Sequence, residues 1–158
     1  MIAPATAPNA ARFEPLAPEH AARWAEFPGT DAVYFPRVVG IELEEVRRDY
    51  ARMRLPYRPE LRQPGGIVHG GAIATLIDTV VVPAIASAYT ELRPLLTISL
   101  STHFLAALAE EDAVAEGWVE RRGRSVVFCR VEVRSARGEL SATASVVYKV
   151  GKPLPAAS

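Results

Sequence analysis

The sequence has few of the residues that build covalent or metal crosslinks. It contains 158 residues and one cysteine, Cys129, so an intrachain disulfide is excluded. Its three histidines, His20, His69 and His103, are scattered without the spacing of metal ligands, and we expect no metal site. Cys129 alternates with valines along an apolar strand face and is interpreted as a core residue rather than a reactive thiol.

The sequence also lacks an excess of charge and a long apolar run. Lysine plus arginine equal aspartate plus glutamate at 18 each, so no global field would gather nucleic acid or an anionic membrane. The most apolar stretch is interrupted by Asp78, Thr79 and Pro83 before it reaches the ~20 residues of a membrane span. The first residues do not follow the pattern of a signal peptide. We therefore expect a soluble, cytoplasmic protein with neither nucleic-acid nor membrane partners.

Periodicity predicts a single α+β domain. An Ala- and Pro-rich segment, residues 1–17, is expected to be a loose tail, and residues 151–158 a second tail. The domain itself, residues 18–150, begins with a short helix at 18–28 and a hairpin within 41–57. A long apolar helix is predicted over 70–89, and four strand-like runs follow it. An antiparallel sheet wrapped around one long central helix buries both apolar surfaces.

The predicted central helix contains an unexpected carboxylate. Residues 65–89 read GGIVHGGAIATLIDTVVVPAIASAY, in which Asp78 stands alone among apolar and small residues. Burying an unpaired carboxylate costs several kcal/mol, on the order of a whole domain's margin of stability. Asp78 is therefore either satisfied by nearby hydroxyl groups such as that of Thr75, or retained because it has a function.

Four segments resemble one protein family. They are GGIVHGGAIATLID at 65–78, TISLSTHFL at 97–105, RRGRSVVFCRVEV at 121–133 and RGELSATASVVYKV at 137–150. These are similar to hotdog-fold acyl-CoA thioesterases, particularly the PaaI-like subgroup of the phenylacetate pathway. The resemblance implies a homodimer whose sheets join edge to edge, often paired into a tetramer, with active sites at the subunit interface. Coenzyme A would then be part of the substrate, and no separate cofactor is expected.

The resemblance assigns the central roles to the start and the middle of the helix. It implies that the Gly70 N–H binds the oxyanion and that Asp78 acts across the dimer interface as a general base or a nucleophile. The residues themselves agree with this, because N–H groups at a helix start lack intrahelical partners and favour negative charge. Gly71 is a second candidate for contact with substrate. The sequence leaves the choice between base and nucleophile open.

Five further residues are candidates with structural alternatives. The resemblance gives Thr97 a role in orienting the nucleophile or water, although it could be an ordinary strand threonine. Gln63 stands where relatives commonly carry Asn near the carbonyl. His69 could polarise the substrate, but a hydrogen bond that fixes the loop is favoured. Gly123 and Arg124 could bind coenzyme A phosphates or form a solvated turn.

Three functions remain open from the sequence. The leading hypothesis is hydrolysis of an acyl-CoA to a carboxylate and free coenzyme A. An acyl-CoA-binding or regulatory hotdog protein without catalysis is an alternative. An enoyl-CoA hydratase is a weaker alternative, because the Asp–His loop motif usual for that reaction is missing from the sequence. The nature of the acyl group is not predicted.

Overall fold

One antiparallel sheet wraps around one long helix in the computed structural model, which describes residues 7–24, 27 and 33–155. The strands are β1 (Glu42–Arg47), β2 (Tyr50–Leu55), β3 (Leu95–Phe104), β4 (Ala113–Arg122), β5 (Val126–Ser135) and β6 (Leu140–Val150), in the order β1-β2-β4-β5-β6-β3. The helices are α1 (Pro18–Ala22), α2 (Phe35–Val39) and α3 (Gly70–Ala86). The predicted α+β class and the central helix are confirmed. No helix in the described ranges is long and apolar enough to cross a membrane.

The core forms where α3 lies on the concave face of the sheet. The fully buried helix positions recur at helical spacing and include Leu76, Ile77, Val80, Val81, Ala84 and Ile85. Alternate residues of each strand face them, for example Ala51, Met53 and Leu55 of β2. Gly117 lets β4 approach the helix closely, since a Cβ there would lie 2.8 Å from Val80 Cγ1.

The central helix is shorter than the sequence predicts. It ends at Ala86 rather than at residue 89, because Ser87 takes over the C-terminal hydrogen bonds. The Ser87 N–H donates to the Pro83 carbonyl, and its hydroxyl donates to the Ala84 carbonyl while accepting from the Asp49 N–H. This serine links the end of α3 to the β1–β2 turn.

Strand β3 departs from the strict alternation in its sequence. A bulge lies between Thr97 and Ser99, so that Thr97 pairs with Tyr148 whereas Ser99 pairs with Val147. The extra residue, Ile98, shifts the two-residue period by one. Strict alternation would put Thr97 on the face opposite Leu100, but the bulge puts both residues on the side of the helix, where they line one cleft.

The described part of the predicted loose tail is anchored to the sheet. Residues 1–6 lie outside the described ranges, whereas residues 7–15 run along the convex face. Ala10 is buried, Phe13 stacks on Tyr50 with ring centroids 5.2 Å apart, and Pro15 forms a β-bridge with Arg47. Tyr50 and Trp118 supply an apolar surface that this segment covers, which the sequence reading did not anticipate.

Two other boundaries also differ from the sequence expectation. The predicted helix at 18–28 is helical only over Pro18–Ala22, and residues 25, 26 and 28 lie outside the described ranges. Residues 151–155 of the predicted C-terminal tail have no regular structure. The Leu154 N–H donates to the Leu92 carbonyl, which joins this segment to the loop before β3.

Candidate active site

Asp78 is half-buried in the middle of α3 and is held by two hydroxyl groups. The Thr97 hydroxyl donates to Asp78 Oδ1 over 2.9 Å, and the Tyr148 hydroxyl donates to the same oxygen over 2.7 Å. Oδ2 has no hydrogen-bond donor among the described residues. The Thr75 hydroxyl, considered above as a partner, instead donates to the Gly71 carbonyl. The carboxylate therefore has one anchored oxygen and one available oxygen.

Tyr148 is a site residue that the sequence reading missed. Its side chain lies on the inner face of β6 and is 3% exposed, and its hydroxyl also donates to the Asp78 backbone carbonyl over 2.9 Å. Burial, reinforced by the hydrogen bond to Asp78, raises the pKa of Tyr148 well above its usual range, so the hydroxyl keeps its proton. The sequence alternation of β6 could have identified it. Tyr148 continues the inward-facing series Ala142, Ala144 and Val146, and a buried tyrosine hydroxyl needs a hydrogen-bond partner.

Asp78 lies in the wall of a cleft of about 640 Å³. The rest of the wall is mostly apolar, and Asp78 is the only charged residue among the described residues that form it. The other lining residues are Phe27, Tyr34, Phe35, Pro36, Ala74, Thr75, Thr79, Val82, Thr97 and Leu100. A carboxylate at the wall of an apolar cleft suits a reaction on a hydrophobic ligand.

The start of α3 leaves one backbone donor free. His69 is the N-cap, and its Nδ1 accepts the Gly71 N–H over 2.8 Å, so its ring proton is on Nε2. The Gly70 N–H has no acceptor within the described part of the chain. Of the two predicted glycines, Gly70 therefore has a free donor and Gly71 does not. His69 has the loop-fixing hydrogen bond that the sequence reading favoured.

Gln63 lies beside Gly70 at a second, smaller cavity of about 280 Å³. Its Oε1 accepts the Gly65 N–H, which leaves the Nε2 amide group as a donor. Phe104 and Ile67 line the same cavity. The structure thus brings Gln63 and Gly70 together, as a pair of donors beside an apolar hollow.

Within one chain, Asp78 does not meet this pair. Eight residues of helix separate Gly70 from Asp78, a rise of about 12 Å. The two residues also line different cavities. A single carbonyl group cannot touch the Gly70 N–H and the Asp78 carboxylate of the same chain.

The hairpin with Gly123 and Arg124 lies near the other end of the helix. Arg122 fixes it there by donating to the Ile85 carbonyl and to the Tyr89 hydroxyl, and by an ion pair with Asp49. The Gly123 N–H donates to the Val126 carbonyl over 2.8 Å, whereas Arg124 is exposed. These two residues are not brought together with Gly70 in one chain.

The described residues contain neither an exposed cysteine nor a cluster of metal ligands. Burial raises the pKa of the Cys129 thiol to about 12, so this residue is a core side chain rather than a thiolate. No group of three His, Cys, Asp or Glu side chains converges in the part of the chain that the structure describes.

Known proteins resemble this chain in sequence and in fold. The family model of the Thioesterase superfamily matches residues 65–142. Putative esterase SSO2140 of Saccharolobus solfataricus is 31% identical over 119 residues, which cover 75% of this chain and 82% of the relative. The Medium/long-chain acyl-CoA thioesterase YigI of Escherichia coli K12 is 29% identical over 132 residues, 74% of this chain and 85% of its own.

Solved structures share the fold at lower identity. The conserved protein PA5202 of Pseudomonas aeruginosa superposes with a TM-score of 0.71 at 24% identity, over 85% of this chain and 98% of that one. The PaaI protein of the phenylacetic acid degradation operon of E. coli superposes with a TM-score of 0.69 at 16% identity. The match covers 75% of this chain and 84% of that one. The hotdog architecture expected from the sequence is therefore confirmed.

Proposed function

Because this chain belongs to the thioesterase superfamily, we propose that it is an acyl-CoA thioesterase that releases a carboxylic acid and free coenzyme A. The observation that carries the proposal is the anchored carboxylate of Asp78 at an apolar cleft, with one oxygen that accepts no hydrogen bond from the described residues. A general base or a nucleophile needs such an available oxygen.

The proposed site combines two copies of the chain. The Gly70 N–H of one copy would stabilise the oxyanion, aided by the Gln63 amide, while Asp78 of the other copy faces the carbonyl carbon. The distance of about 12 Å along the helix supports a site shared between two chains. Strand β3 supports edge-to-edge pairing, because it lies at the sheet edge and exposes Leu96 and Ile98 by 62% and 57%.

Two routes are consistent with this arrangement. In the first, Asp78 takes a proton from water as the water oxygen attacks the carbonyl carbon. The tetrahedral intermediate then collapses, the carbon–sulfur bond breaks, and the thiolate of coenzyme A leaves and is protonated. In the second, Asp78 Oδ2 attacks the carbon itself, the carbon–sulfur bond breaks, and the thiolate of coenzyme A leaves and is protonated. Water then hydrolyses the mixed anhydride, which releases the carboxylic acid and restores the Asp78 carboxylate. Both routes need the same free oxygen.

The apolar cleft supports a hydrophobic acyl group as the substrate. Three aromatic residues, Phe27, Tyr34 and Phe35, form one part of its wall, and Val82 and Leu100 form another. Straight-chain and aromatic acyl-CoAs should therefore both be tested. The exposed Arg124 is a candidate contact for the phosphates of coenzyme A, and charge-assisted hydrogen bonds are the physical basis for it.

Thiol release from a panel of acyl-CoAs tests the proposal, with Asp78→Asn as the decisive variant. Asn keeps an oxygen for the Thr97 and Tyr148 hydroxyls but cannot act as a base, so we expect turnover to fall by about 10²-fold or more while the fold is retained. Asp112→Asn is the matched control, because that carboxylate binds Arg54 and the Tyr57 N–H away from the cleft.

Other outcomes would identify the alternatives. Turnover that is unchanged in Asp78→Asn would contradict the assignment. Tight binding of acyl-CoA without thiol release would indicate a binding protein. Loss of enoyl absorbance without thiol release would indicate a hydratase.

A further inference from the structure

Asp78 on α3 is contacted by side chains from two strands, β3 and β6. The sequence did not predict a site residue on β6. Thr97 comes from β3 and Tyr148 from β6, and the two are paired neighbours across these strands. Both donate to the same carboxylate oxygen, Oδ1. The Tyr148 hydroxyl lies between that oxygen and the Asp78 backbone carbonyl, at 2.7 and 2.9 Å. Its one proton is thus shared between two acceptors of a single residue.

This contact restrains the carboxylate group in a way that Thr97 alone does not. A tyrosine ring packed in the core moves little, since Tyr148 lies among buried residues of the helix and the sheet. A threonine on an edge strand is less constrained, and Thr97 is exposed in the single chain. The buried tyrosine therefore defines which oxygen points inward, and with it the direction of Oδ2.

We propose that Tyr148 is a positioning residue that holds Asp78 in the orientation needed for attack. The inference rests on the thioesterase function proposed above. It adds a role that is independent of contact with substrate, because Tyr148 reaches the reaction only through Asp78.

Few polar groups surround Asp78. Tyr148 faces it from β6 and Thr97 from β3, while Thr75 and Thr79 are its neighbours on α3 that share the cleft. Tyr34 is the other titratable group among the described lining residues, and none of them besides Asp78 is charged. Loss of the Tyr148 hydroxyl would leave Thr97 as the donor to Oδ1 among the described residues.

The chain provides a closely matched control on the other face of the sheet. Tyr50 is also fully buried, and its hydroxyl also donates over 2.7 Å to a carboxylate, that of Glu116. Tyr148→Phe and Tyr50→Phe therefore remove the same kind of hydrogen bond. We expect losses of thermal stability from both, because each variant leaves a carboxylate with one donor fewer.

Only Tyr148→Phe should change catalysis. We expect kcat to fall about 10- to 100-fold with KM little changed, as for a misplaced reacting group that does not bind substrate. Tyr50→Phe should keep the wild-type kcat and KM. Thr97→Val is a second variant, which removes the other donor to Oδ1 and should lower kcat as well.

A measurement without turnover separates this inference from the proposed function. At one fixed pH, the ¹³C NMR signal of the Asp78 side-chain carboxyl carbon should change position in Tyr148→Phe, which removes a hydrogen bond to Oδ1, and not in Tyr50→Phe. A wild-type signal and wild-type kcat in Tyr148→Phe would overturn the positioning role, even where Asp78→Asn is inactive. An active Asp78→Asn would overturn the thioesterase mechanism while leaving the NMR result intact.

Discussion

Gly70 and Gly71, adjacent at the start of α3, have different roles. The Gly71 N–H is occupied by the His69 side chain, which closes the first turn of the helix. The Gly70 N–H remains open toward the cavity that Gln63 and Phe104 line. A Cβ at position 70 would lie 3.3 Å from Phe104 Cζ, and one at position 71 would lie 3.0 Å from His69 Nδ1. Identical residues therefore meet different neighbours.

This difference gives a prediction for Gly70→Ala. The methyl group would obstruct the approach of a carbonyl to the open N–H, so we expect kcat to fall by about 10- to 100-fold. Stability should be unchanged or rise by up to about 1 kcal/mol, since alanine favours a helix over glycine. Steady-state kinetics and thermal unfolding measure the two effects.

Gly71→Ala is the comparison. Its methyl group would press on the capping nitrogen, and we expect a loss of about 1 kcal/mol of stability. Wild-type turnover in Gly70→Ala would contradict the proposed oxyanion site.

The importance of Asp78 was predictable from the sequence, whereas its partners were not. A lone carboxylate in an apolar helix is visible in the chain itself. Its partners are 19 and 70 residues away, and one of them faces the helix only because of the bulge in β3. Alternation counted without that bulge puts Thr97 on the wrong face. Sequence periodicity predicts strands and faces well, but it does not reveal an inserted residue.

At the scale of elements, the segment at 7–15 acts as a strap on the convex face of the sheet. Its Asn9 donates through both backbone and side chain to Glu116, a buried carboxylate that also accepts from Tyr50. Phe13 covers Tyr50, and Arg12 lies over the Trp118 ring at 5.4 Å. Composition suggested a loose segment because alanine and proline dominate it. The apolar surface that holds it belongs to strands far along the chain.

We predict that Phe13→Ala destabilises the fold without affecting turnover. The variant loses the ring stacking and exposes part of Tyr50, which should cost about 1–2 kcal/mol. The strap and the cleft lie on opposite faces of the sheet, so kcat should stay at the wild-type value. Chemical denaturation and thiol release measure these separately.

Phe128→Ala is the control for this prediction, because Phe128 is a partly exposed phenylalanine on the same convex face. It should cost less than about 0.5 kcal/mol. Equal destabilisation by the two variants would mean that the strap does not hold the sheet.

At the scale of the whole molecule, Gly70 and Asp78 lie too far apart on α3 for one carbonyl group to contact both within a single chain. Gly70 and Asp78 each lie at a cavity of their own, and the β3 edge beside both cavities exposes apolar side chains. Two copies joined at this edge would bring the start of one helix to the middle of the other. Each dimer would then hold two equivalent sites, as the isologous symmetry of a two-fold pair requires.

Mixed dimers test this arrangement directly. Asp78→Asn and Gly70→Ala chains should each give homodimers of low activity, because every site then carries one defective residue. In a mixed dimer, one site receives the intact Gly70 from the first chain and the intact Asp78 from the second. Random reassociation of equal amounts should therefore restore about a quarter of the wild-type activity, since half of the dimers are mixed and each has one intact site of two. Thiol release after unfolding and refolding the two variants together measures the recovery, and separately refolded samples that are mixed just before the assay are the control. If the two residues acted within one chain, refolding together would restore no more activity than the control, and the shared site would be disproved.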